Sequence, residues 1–329
     1  MKVAIIGAGV AGLCCACESV DRGLSVDLYE QSGAIGDSAC SWYAGGMLAP
    51  WCEAETAEPV VTDWGLIAID WWKAHIDPMI QNGSLVLSMQ RDRNELNRFA
   101  RLTTQHQWLD TTAIDTLEPF LEGRFQRGLL FDKEAHLDPR QSLLQLQQYF
   151  QDRGGRLHLG ECPDPTDFED QRVIDCRGYA ARDELPQLRG VKGEMLLLET
   201  AEIKLSRPLR LLHPRYPMYL VPRENNQFML GATMIENDER NRISARSMLE
   251  LLSMAYAIHP RFGEADIIEI GVDVRPAFDD NLPDVLRRDD KLYLNGLYRH
   301  GFLLGPAMAR RAVDALLDEQ CFAELRQCA

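Results

Sequence analysis

The sequence has little positive charge and lacks the long apolar runs of membrane proteins. Its 35 lysines and arginines are outnumbered by 50 aspartates and glutamates, and the net charge is −15. A chain this acidic repels phosphate backbones, so we expect no nucleic acid partner. No uninterrupted apolar run reaches about 18 residues, so we expect no membrane span. One small anionic ligand can still bind at a local cation.

The sequence also lacks a second cysteine or histidine motif that could complete a metal site. The nine cysteines are an odd number, and no C-x-x-C stands with another C-x-x-C or with an H-x-x-x-H. We therefore expect no metal site, and free, mostly buried thiols in a reducing compartment, the cytoplasm. The cysteines are Cys14, Cys15, Cys17, Cys40, Cys52, Cys162, Cys176, Cys321 and Cys328.

The chain begins MKVAIIGAGVAGLCCACESV, and three interpretations of this stretch compete. A lysine before mostly apolar residues resembles a secretion signal, and Leu13 before the cysteine cluster suggests a lipoprotein cleavage site or a metal knot. Only one basic residue precedes the run, three glycines interrupt it, and no small-x-small cleavage site stands clear of a helix, which argues against a signal. KVAIIGAG is instead typical of a buried parallel strand, VAGLCCACESVDRG of a helix ending at Gly23, and LSVDLYE of a second strand.

The glycines of this strand–helix–strand unit predict a dinucleotide site. Gly7 permits a tight turn, Gly9 lets the backbone approach a pyrophosphate, and Gly12 lets the helix pack closely on the strand. The helix N-terminus offers unpaired N–H groups to the phosphates. Glu30, which lies 18 residues past Gly12, can accept hydrogen bonds from both ribose hydroxyls. The presence of this carboxylate does not indicate whether the dinucleotide is NAD or FAD.

Two domains are expected for 329 residues. Strand–helix alternation dominates both ends of the chain, and β content is concentrated between about 191 and 235, which indicates a doubly wound domain interrupted by a sheet-rich one. The patterns predict helices over 62–77, 94–110, 140–155, 244–260 and 307–319, a strand over 291–297 and a glycine-bounded turn over 299–306.

Four further stretches indicate which dinucleotide cofactor the protein binds. They are CSWYAGGMLAP, RGVKGEMLLLE, MYLVPRENNQFMLGATMIE, and GVDVRPAFDDNLPDV followed by LYLNGLYRHGFLLGPAMA. With the N-terminal unit, they resemble the D-amino-acid oxidase superfamily of FAD-dependent amine oxidases, and within it the glycine oxidases of thiamine biosynthesis. The resemblance implies an α/β fold in which a Rossmann-like FAD-binding domain (1–82, 136–190 and 266–329) is interrupted by a β-rich substrate domain (83–135 and 191–265), as in D-amino-acid oxidase and glutathione reductase.

The resemblance also implies the cofactor and its contacts. FAD is expected to be bound non-covalently, since no cysteine stands beside Arg275 like the one that attaches FAD in sarcosine oxidases. Gly45, Gly46 and Met47 would run beside the flavin ring, where glycine backbone can lie flat against an aromatic system. The cofactor-binding residues implied are Gly7, Gly9, Val10, Ala11, Gly12, Glu30, Gln31, Cys40, Ser41, Gly45, Gly46, Met47, Gly178, Leu297, Tyr298, Arg299, His300, Gly301, Phe302 and Leu303.

The substrate site is implied in the same way. Arg275 matches the arginine that binds the substrate carboxylate, for which a planar bidentate group is needed. Arg299 matches a second arginine, and Tyr219 and Met234 match residues that close the pocket. Three residues depart from the family pattern: His300 stands where asparagine is usual, and Trp42 and Tyr43 stand where small residues are usual.

The function that the resemblance implies is oxidative deamination of glycine, sarcosine or a small D-amino acid. The neutral amine would deliver a hydride to flavin N5, and dioxygen would reoxidise the flavin to give hydrogen peroxide. The imine of glycine would supply thiazole assembly in thiamine biosynthesis. Whether the protein forms a homo-oligomer stays an open question, because related enzymes are often dimers or tetramers.

Two alternatives stay open as well. One is an FAD-dependent D-amino-acid or secondary-amine dehydrogenase that passes electrons to a quinone or carrier. The other is a nucleotide-binding protein without redox turnover.

Overall fold

The computed structural model describes residues 1–36, 38–168 and 171–327, and it contains two large sheets and a two-stranded one. The strands are β1 (Lys2–Ile6), β2 (Ser25–Glu30), β3 (Met47–Leu48), β4 (Ser84–Ser88), β5 (Gln107–Asp110), β6 (Arg127–Phe131), β7 (Ala135–His136), β8 (Arg156–Leu159), β9 (Arg172–Asp175), β10 (Arg189–Glu199), β11 (Leu209–Leu212), β12 (Met218–Pro222), β13 (Gln227–Gly231), β14 (Ile235–Glu236), β15 (Asp266–Ala277), β16 (Asp284–Arg288) and β17 (Lys291–Asn295).

The α-helices are α1 (Val10–Asp21), α2 (Pro50–Glu53), α3 (Pro59–His75), α4 (Arg93–Leu102), α5 (Thr111–Leu117), α6 (Pro139–Asp152), α7 (Ala245–Ile258), α8 (Gly301–Leu317) and α9 (Glu319–Glu324). Short 3₁₀ helices cover Cys40–Tyr43, Gln90–Asp92, Pro119–Leu121, Pro165–Asp167, Gly178–Asp183 and Pro260–Glu264. No helix in the described ranges is long and apolar enough to cross a membrane.

The first sheet confirms the predicted Rossmann-like unit. Its order is β16-β17-β9-β1-β2-β8, and β17, β9, β1, β2 and β8 run parallel while β16 is antiparallel to β17. Leu13, on α1, is fully buried in one core that also includes apolar side chains of α3, α6 and α8. Full burial of such a side chain stabilises the fold by about 1.5–3 kcal/mol. Helix α1, which follows the β1–α1 connection, is therefore fixed by packing in this core.

The cysteine cluster belongs to this core. Cys14, Cys15 and Cys17 are fully buried on α1, as expected for small hydrophobic residues. The cysteines of the described residues are free thiols. Cys328 lies outside the described residues.

The second sheet has nine strands. Eight of them follow the order β14-β10-β13-β12-β11-β4-β6-β5, and β15 pairs with β10. Strand β15 lies within the segment 266–329 that was predicted to belong to the FAD-binding domain, yet it pairs over its length with a strand of the other sheet. The division into two domains and its boundaries stay a prediction.

Two element predictions were wrong. The segment 94–110 was predicted as one helix, but α4 ends at Leu102 and β5 occupies Gln107–Asp110. Thr103 follows the helix in extended conformation, and its Oγ1 donates to the carbonyl of Phe99 at 2.9 Å. The predicted turn over 299–306 is also partly helical, because α8 already begins at Gly301.

Candidate active site

A cavity of about 530 Å³ is lined by residues of both sheets. We call the part around the glycine turn and Glu30 the nucleotide end, and the part around Arg275 and Tyr219 the substrate end. The sequence-predicted residues that line the cavity are Gly7, Gly9, Val10, Ala11, Glu30, Gln31, Cys40, Ser41, Gly45, Gly46, Met47, Gly178, Tyr219, Met234, Arg275, Leu297, Tyr298, Arg299, His300, Gly301, Phe302 and Leu303. The fold thus brings these residues to one cavity, and their roles toward a ligand stay predictions.

The three glycines of the first turn meet different neighbours. Gly7 has φ +95°, and a Cβ there would lie 2.7 Å from the carbonyl oxygen of Cys176. Gly12 is not among the residues that line the cavity, and a Cβ there would lie 1.8 Å from the carbonyl oxygen of Gly7. At Gly9 a Cβ would make only ordinary contacts, at 3.5 Å from Ser41 Oγ. The protein itself needs Gly7 and Gly12, whereas the missing side chain of Gly9 leaves room inside the cavity.

Glu30 is fixed at the nucleotide end of the cavity. Its Oε2 accepts from the N–H of Ala8 at 2.9 Å, and its Oε1 accepts from the N–H of Ser32 at 3.0 Å. The carboxylate is almost fully buried at the end of β2. An anchored acceptor beside the N-terminus of a helix fits the ribose and pyrophosphate of FAD.

The glycines of the segment before β3 are also required by contacts within the protein, and their contact with the flavin stays a prediction. A Cβ at Gly45 would lie 2.7 Å from the Tyr219 ring, and one at Gly46, whose φ is +69°, would lie 2.2 Å from the carbonyl oxygen of Leu137. Within the protein, the aromatic ring of Tyr219 lies against the backbone at Gly45. Arg223 fixes the same segment, because its Nη2 donates to the carbonyl of Gly45 at 2.8 Å.

Arg275 lies at the substrate end with much of its guanidinium available. Its Nη1 donates to the carbonyl of Thr233 at 3.0 Å. Its Nη2 lies over Gly193, where a Cβ would approach to 2.3 Å. The absence of a side chain at Gly193 thus makes room for the guanidinium, which lines the cavity.

Arg299 also lines the cavity, but it is already engaged. Its Nη2 donates to Glu53 Oε2 at 2.7 Å and to Thr56 Oγ1 at 2.6 Å. Glu53 also pairs with Arg210 and lies 2.9 Å from His300 Nε2. Burial would raise the pKa of Glu53, but the charges of Arg299 and Arg210 outweigh it and hold that pKa well below its usual range.

This cluster of Glu53, Arg210, Arg299 and His300 gives the departure at His300 a structural reason. His300 occupies the position before the first residue of α8, and its ring faces the buried carboxylate of Glu53.

A second acid, Asp273, lies close to Arg275. It stands two residues earlier on β15, is almost fully buried, and forms an ion pair with Arg240 at 2.9 Å. Burial raises its pKa, against the nearby charges of Arg240 and Arg275. The same groups act on Cys40, where burial and Asp273 raise the pKa to about 12 while the two arginines oppose the rise. The predicted flavin-contacting stretch therefore adjoins the predicted substrate clamp.

Trp42 and Tyr43, the two aromatic residues that depart from the family pattern, lie differently relative to the cavity. Tyr43 lines the cavity, and its ring lies against Gly271, where a Cβ would approach to 2.4 Å. Trp42 is turned to the other side, where the Arg140 guanidinium lies 5.1 Å from its ring centre. Only Tyr43 of this pair shapes the wall.

Sequence reasoning missed several residues of the wall. The missed residues include Glu53, Glu194, Arg210, Arg240 and Asp273. Most of these positions carry no local motif, since each side chain reaches the cavity only through the pairing of distant elements. Asp273 had a usable signal, because residues two apart on a strand share a face and Arg275 was already assigned.

Comparison with known proteins gives concordant results. A family model described as FAD dependent oxidoreductase, DAO, matches residues 2–315. A Rhizobium etli protein provisionally named thiamine biosynthesis oxidoreductase ThiO is 53% identical over 321 residues, which cover 97% of this chain and 98% of that protein. A glycine oxidase of Pseudomonas aeruginosa is 26% identical over 353 residues, which cover 96% of this chain and 94% of that protein.

The fold has a close counterpart among solved structures. The crystal structure of glycine oxidase from Geobacillus kaustophilus matches with a TM-score of 0.78 and 21% identity, covering 95% of this chain and 94% of that one. At this level of identity the likeness shows the fold alone.

Proposed function

Because the chain belongs to the DAO family of FAD-dependent oxidoreductases, we propose that it oxidises the amine of a small amino acid to an imine, with glycine as the preferred substrate. Dioxygen is the proposed electron acceptor and hydrogen peroxide the second product. We further propose that the glycine imine serves thiamine biosynthesis in the cytoplasm, as the name of the Rhizobium etli relative suggests.

The proposal rests on the guanidinium of Arg275 in the cavity. One of its nitrogens is held by the carbonyl of Thr233, and the group lines the same cavity as Gly9 and Glu30. A planar cation with a free edge binds a carboxylate bidentately, which fixes the direction of the α-carbon. An amino acid is the ligand class that suits such a group.

Tyr219 would support the same carboxylate. Burial raises the pKa of its hydroxyl, so the group stays protonated and can donate a hydrogen bond. Its ring is held between Gly45 and Gly231, where added Cβ atoms would lie 2.7 and 3.2 Å away. A bulky ring fixed in this position favours a small substrate.

The carboxylates at the substrate end are each paired with a cation. We therefore assign none of them as a general base and expect the substrate to react with its amine already neutral. The pairs are Glu53 with Arg210 and Arg299, Asp273 with Arg240, Glu55 and Glu95 with Arg98, and Glu194 with Lys192.

The nucleotide end would hold FAD through the N–H groups of the α1 N-terminus, the space at Gly9 and the carboxylate of Glu30. FAD, when bound, supplies the two-electron acceptor for amine oxidation. Arg275 and Tyr219 bind and orient the substrate, and Arg223 holds the Gly45 backbone at the boundary between the two ends.

The first test is turnover by the purified yellow protein with glycine, sarcosine, D-alanine and D-proline, followed by peroxide detection. We expect peroxide with glycine. Flavin bleaching without peroxide would favour the dehydrogenase, and a colourless protein that takes up no FAD would overturn the enzyme assignment.

The second test is Arg275→Gln, with Arg275→Lys as its matched variant. We expect a rise in KM of at least about 100-fold for Arg275→Gln with FAD retained, because a charge-assisted bidentate contact contributes about 3 kcal/mol. Arg275→Lys keeps the charge but loses the planar fork, so we expect an intermediate KM. Unchanged kinetics in both variants would refute the role of Arg275.

A further inference from the structure

Asp273 is a buried acid placed beside the group that is proposed to bind the substrate carboxylate. Residues two apart on a strand point to the same face, and both Asp273 and Arg275 line the cavity. Asp273 is 6% exposed, so its charge is poorly screened by water. An acid in this position can compete with a substrate carboxylate for Arg275.

The guanidinium of Arg275 lies toward this acid. In the antiparallel pairing of β10 with β15, Gly193 is opposite Asp273. A Cβ at Gly193 would lie 2.3 Å from Arg275 Nη2, so the guanidinium covers the residue directly across from Asp273. Even so, among the ion pairs of residues 1–36, 38–168 and 171–327, Asp273 is paired with Arg240 and not with Arg275.

Arg240 reaches Asp273 from the segment between β14 and α7. Its Nε lies 2.9 Å from Asp273 Oδ1. The segment is anchored to β10, since the N–H of Lys192 donates to the carbonyl of Asn237 at 3.0 Å and Lys192 Nζ donates to Asn241 Oδ1 at 2.6 Å. The cation is therefore presented to Asp273 by a held backbone.

We propose that Arg240 is a positioning residue that neutralises Asp273 and thereby leaves Arg275 available to the substrate carboxylate. The inference rests on the proposed function of Arg275. Without Arg240, the Asp273 carboxylate both repels an incoming carboxylate and attracts the guanidinium that should bind it. Arg240 thus sets the affinity for the substrate without contacting the reacting atoms.

The test compares Arg240→Gln with the double variant Arg240→Gln/Asp273→Asn. Arg240→Gln is expected to raise KM for glycine about tenfold with kcat within about twofold, because one unpaired charge in a partly buried site disfavours a nearby anion by that order. The double variant is expected to restore KM, because the charge that Arg240 neutralised is gone. Arg242→Gln is the matched control, since Arg242 is an exposed arginine of the same segment.

A binding measurement separates this inference from the proposed function. Acetate is titrated into each FAD-bound protein, and its Kd is read from the change in flavin absorbance. Arg240→Gln should weaken acetate about tenfold and the double variant should recover it. If the wild type oxidises no amino acid but this acetate pattern appears, the proposed function fails and the inference stands.

Two outcomes would overturn the inference. One is an unchanged KM and acetate Kd in Arg240→Gln. The other is a double variant as impaired as the single one, which would mean that Arg240 acts on the ligand or on the segment and not through Asp273. Thermal unfolding and FAD content of each variant show that the fold and the cofactor are retained.

Discussion

Gly9 is the residue of the first turn whose missing side chain the protein itself does not require. Its φ of −71° and ψ of −174° suit any residue, and a Cβ would meet Ser41 Oγ at 3.5 Å. We expect Gly9→Ala to change the stability of the apoprotein by less than about 1 kcal/mol. It should weaken FAD binding at least about tenfold, since the methyl group occupies cavity space. Chemical unfolding of the apoprotein and an FAD titration measure the two effects.

Gly7→Ala is the control for this prediction. Gly7 has φ +95°, and its Cβ would lie 2.7 Å from the carbonyl oxygen of Cys176. The apoprotein should therefore lose at least about 2 kcal/mol of unfolding free energy. Equal destabilisation by Gly7→Ala and Gly9→Ala would show that Gly9 serves the fold and not a ligand.

Residue chemistry also decided how much of the site the sequence could predict. Gly7 and Glu30 were predictable because a phosphate turn and a ribose acceptor need those residue types at that spacing. Glu53 was not predictable as a site residue, because the stretch WCEAETAEP is typical of a polar surface. In the fold its carboxylate is buried and paired with Arg210 on β11 and with Arg299, which lies just before α8.

Glu134 is a fully buried acid outside the cavity, and it should make stability depend on pH. Its Oε1 accepts from the N–H of Cys52 at 2.8 Å, and burial raises its pKa to about 7. The folded protein therefore holds a proton that the unfolded chain releases near pH 4.5. The stabilisation is fully present below that pH and is lost as pH rises through about 7, a change of about 3 kcal/mol.

The measurement is the free energy of unfolding of wild type minus Glu134→Gln from pH 4.5 to 8. The difference is needed because His136 works in the opposite direction. Burial lowers the pKa of His136 to about 3, so its stabilisation is present above about pH 6.5 and lost as pH falls. A difference that is constant over this pH range would contradict the protonated state of Glu134.

At the scale of elements, α8 contains an internal proline. The stability lost with the helical hydrogen bond that this proline cannot make is offset by a hydrogen bond from another helix. Pro306 has no N–H, so the carbonyl of Phe302, four residues earlier, lacks its helical partner. Trp72 on α3 donates its Nε1 to that carbonyl at 2.8 Å. We expect Trp72→Phe to lower the free energy of unfolding by about 1–3 kcal/mol beyond the loss of ring contacts, because a buried acceptor becomes unpaired.

A double-mutant cycle checks the cause. Pro306→Ala restores an N–H that can reach the Phe302 carbonyl, so Trp72→Phe should cost less in that background. A coupling energy of at least about 1 kcal/mol is expected from chemical unfolding. Additive losses would mean that the Trp72 hydrogen bond does not compensate for the proline.

The same pair explains why the start of α8 escaped prediction. Glycines at 301 and 305 and a proline at 306 are typical of a turn, and the tryptophan that makes a helix tolerable lies 230 positions away in the chain. The prediction of where α4 ends was wrong for a local reason. Apolar residues continue past Leu102, but Thr103 and Thr104 favour extended backbone. Long periodic elements such as α6 and α7 were predictable from spacing alone.

At the scale of the whole molecule, the cavity wall is contributed by both sheets. Gly9 and Glu30 belong to the first sheet and its helix, and Arg275 belongs to a strand of the second. A bidentate pair also links the two layers, because Arg140 on α6 donates to Glu269 on β15 at 2.8 and 2.5 Å. We therefore expect a cofactor bound in this cavity to contact both layers.

Removal of FAD should consequently loosen both sheets together. A ligand at a free concentration of 100 times its Kd raises the free energy of unfolding by about 2.7 kcal/mol, and the apoprotein lacks this contribution. Hydrogen exchange of apoprotein and FAD-bound protein should show added protection in β1 and α1 and also in β15. Gly9→Ala at the same FAD concentration is the control and should show less protection in all three elements. Protection limited to β1 and α1 would mean that FAD stabilises the first sheet alone, and that the substrate end is formed by the protein without its cofactor.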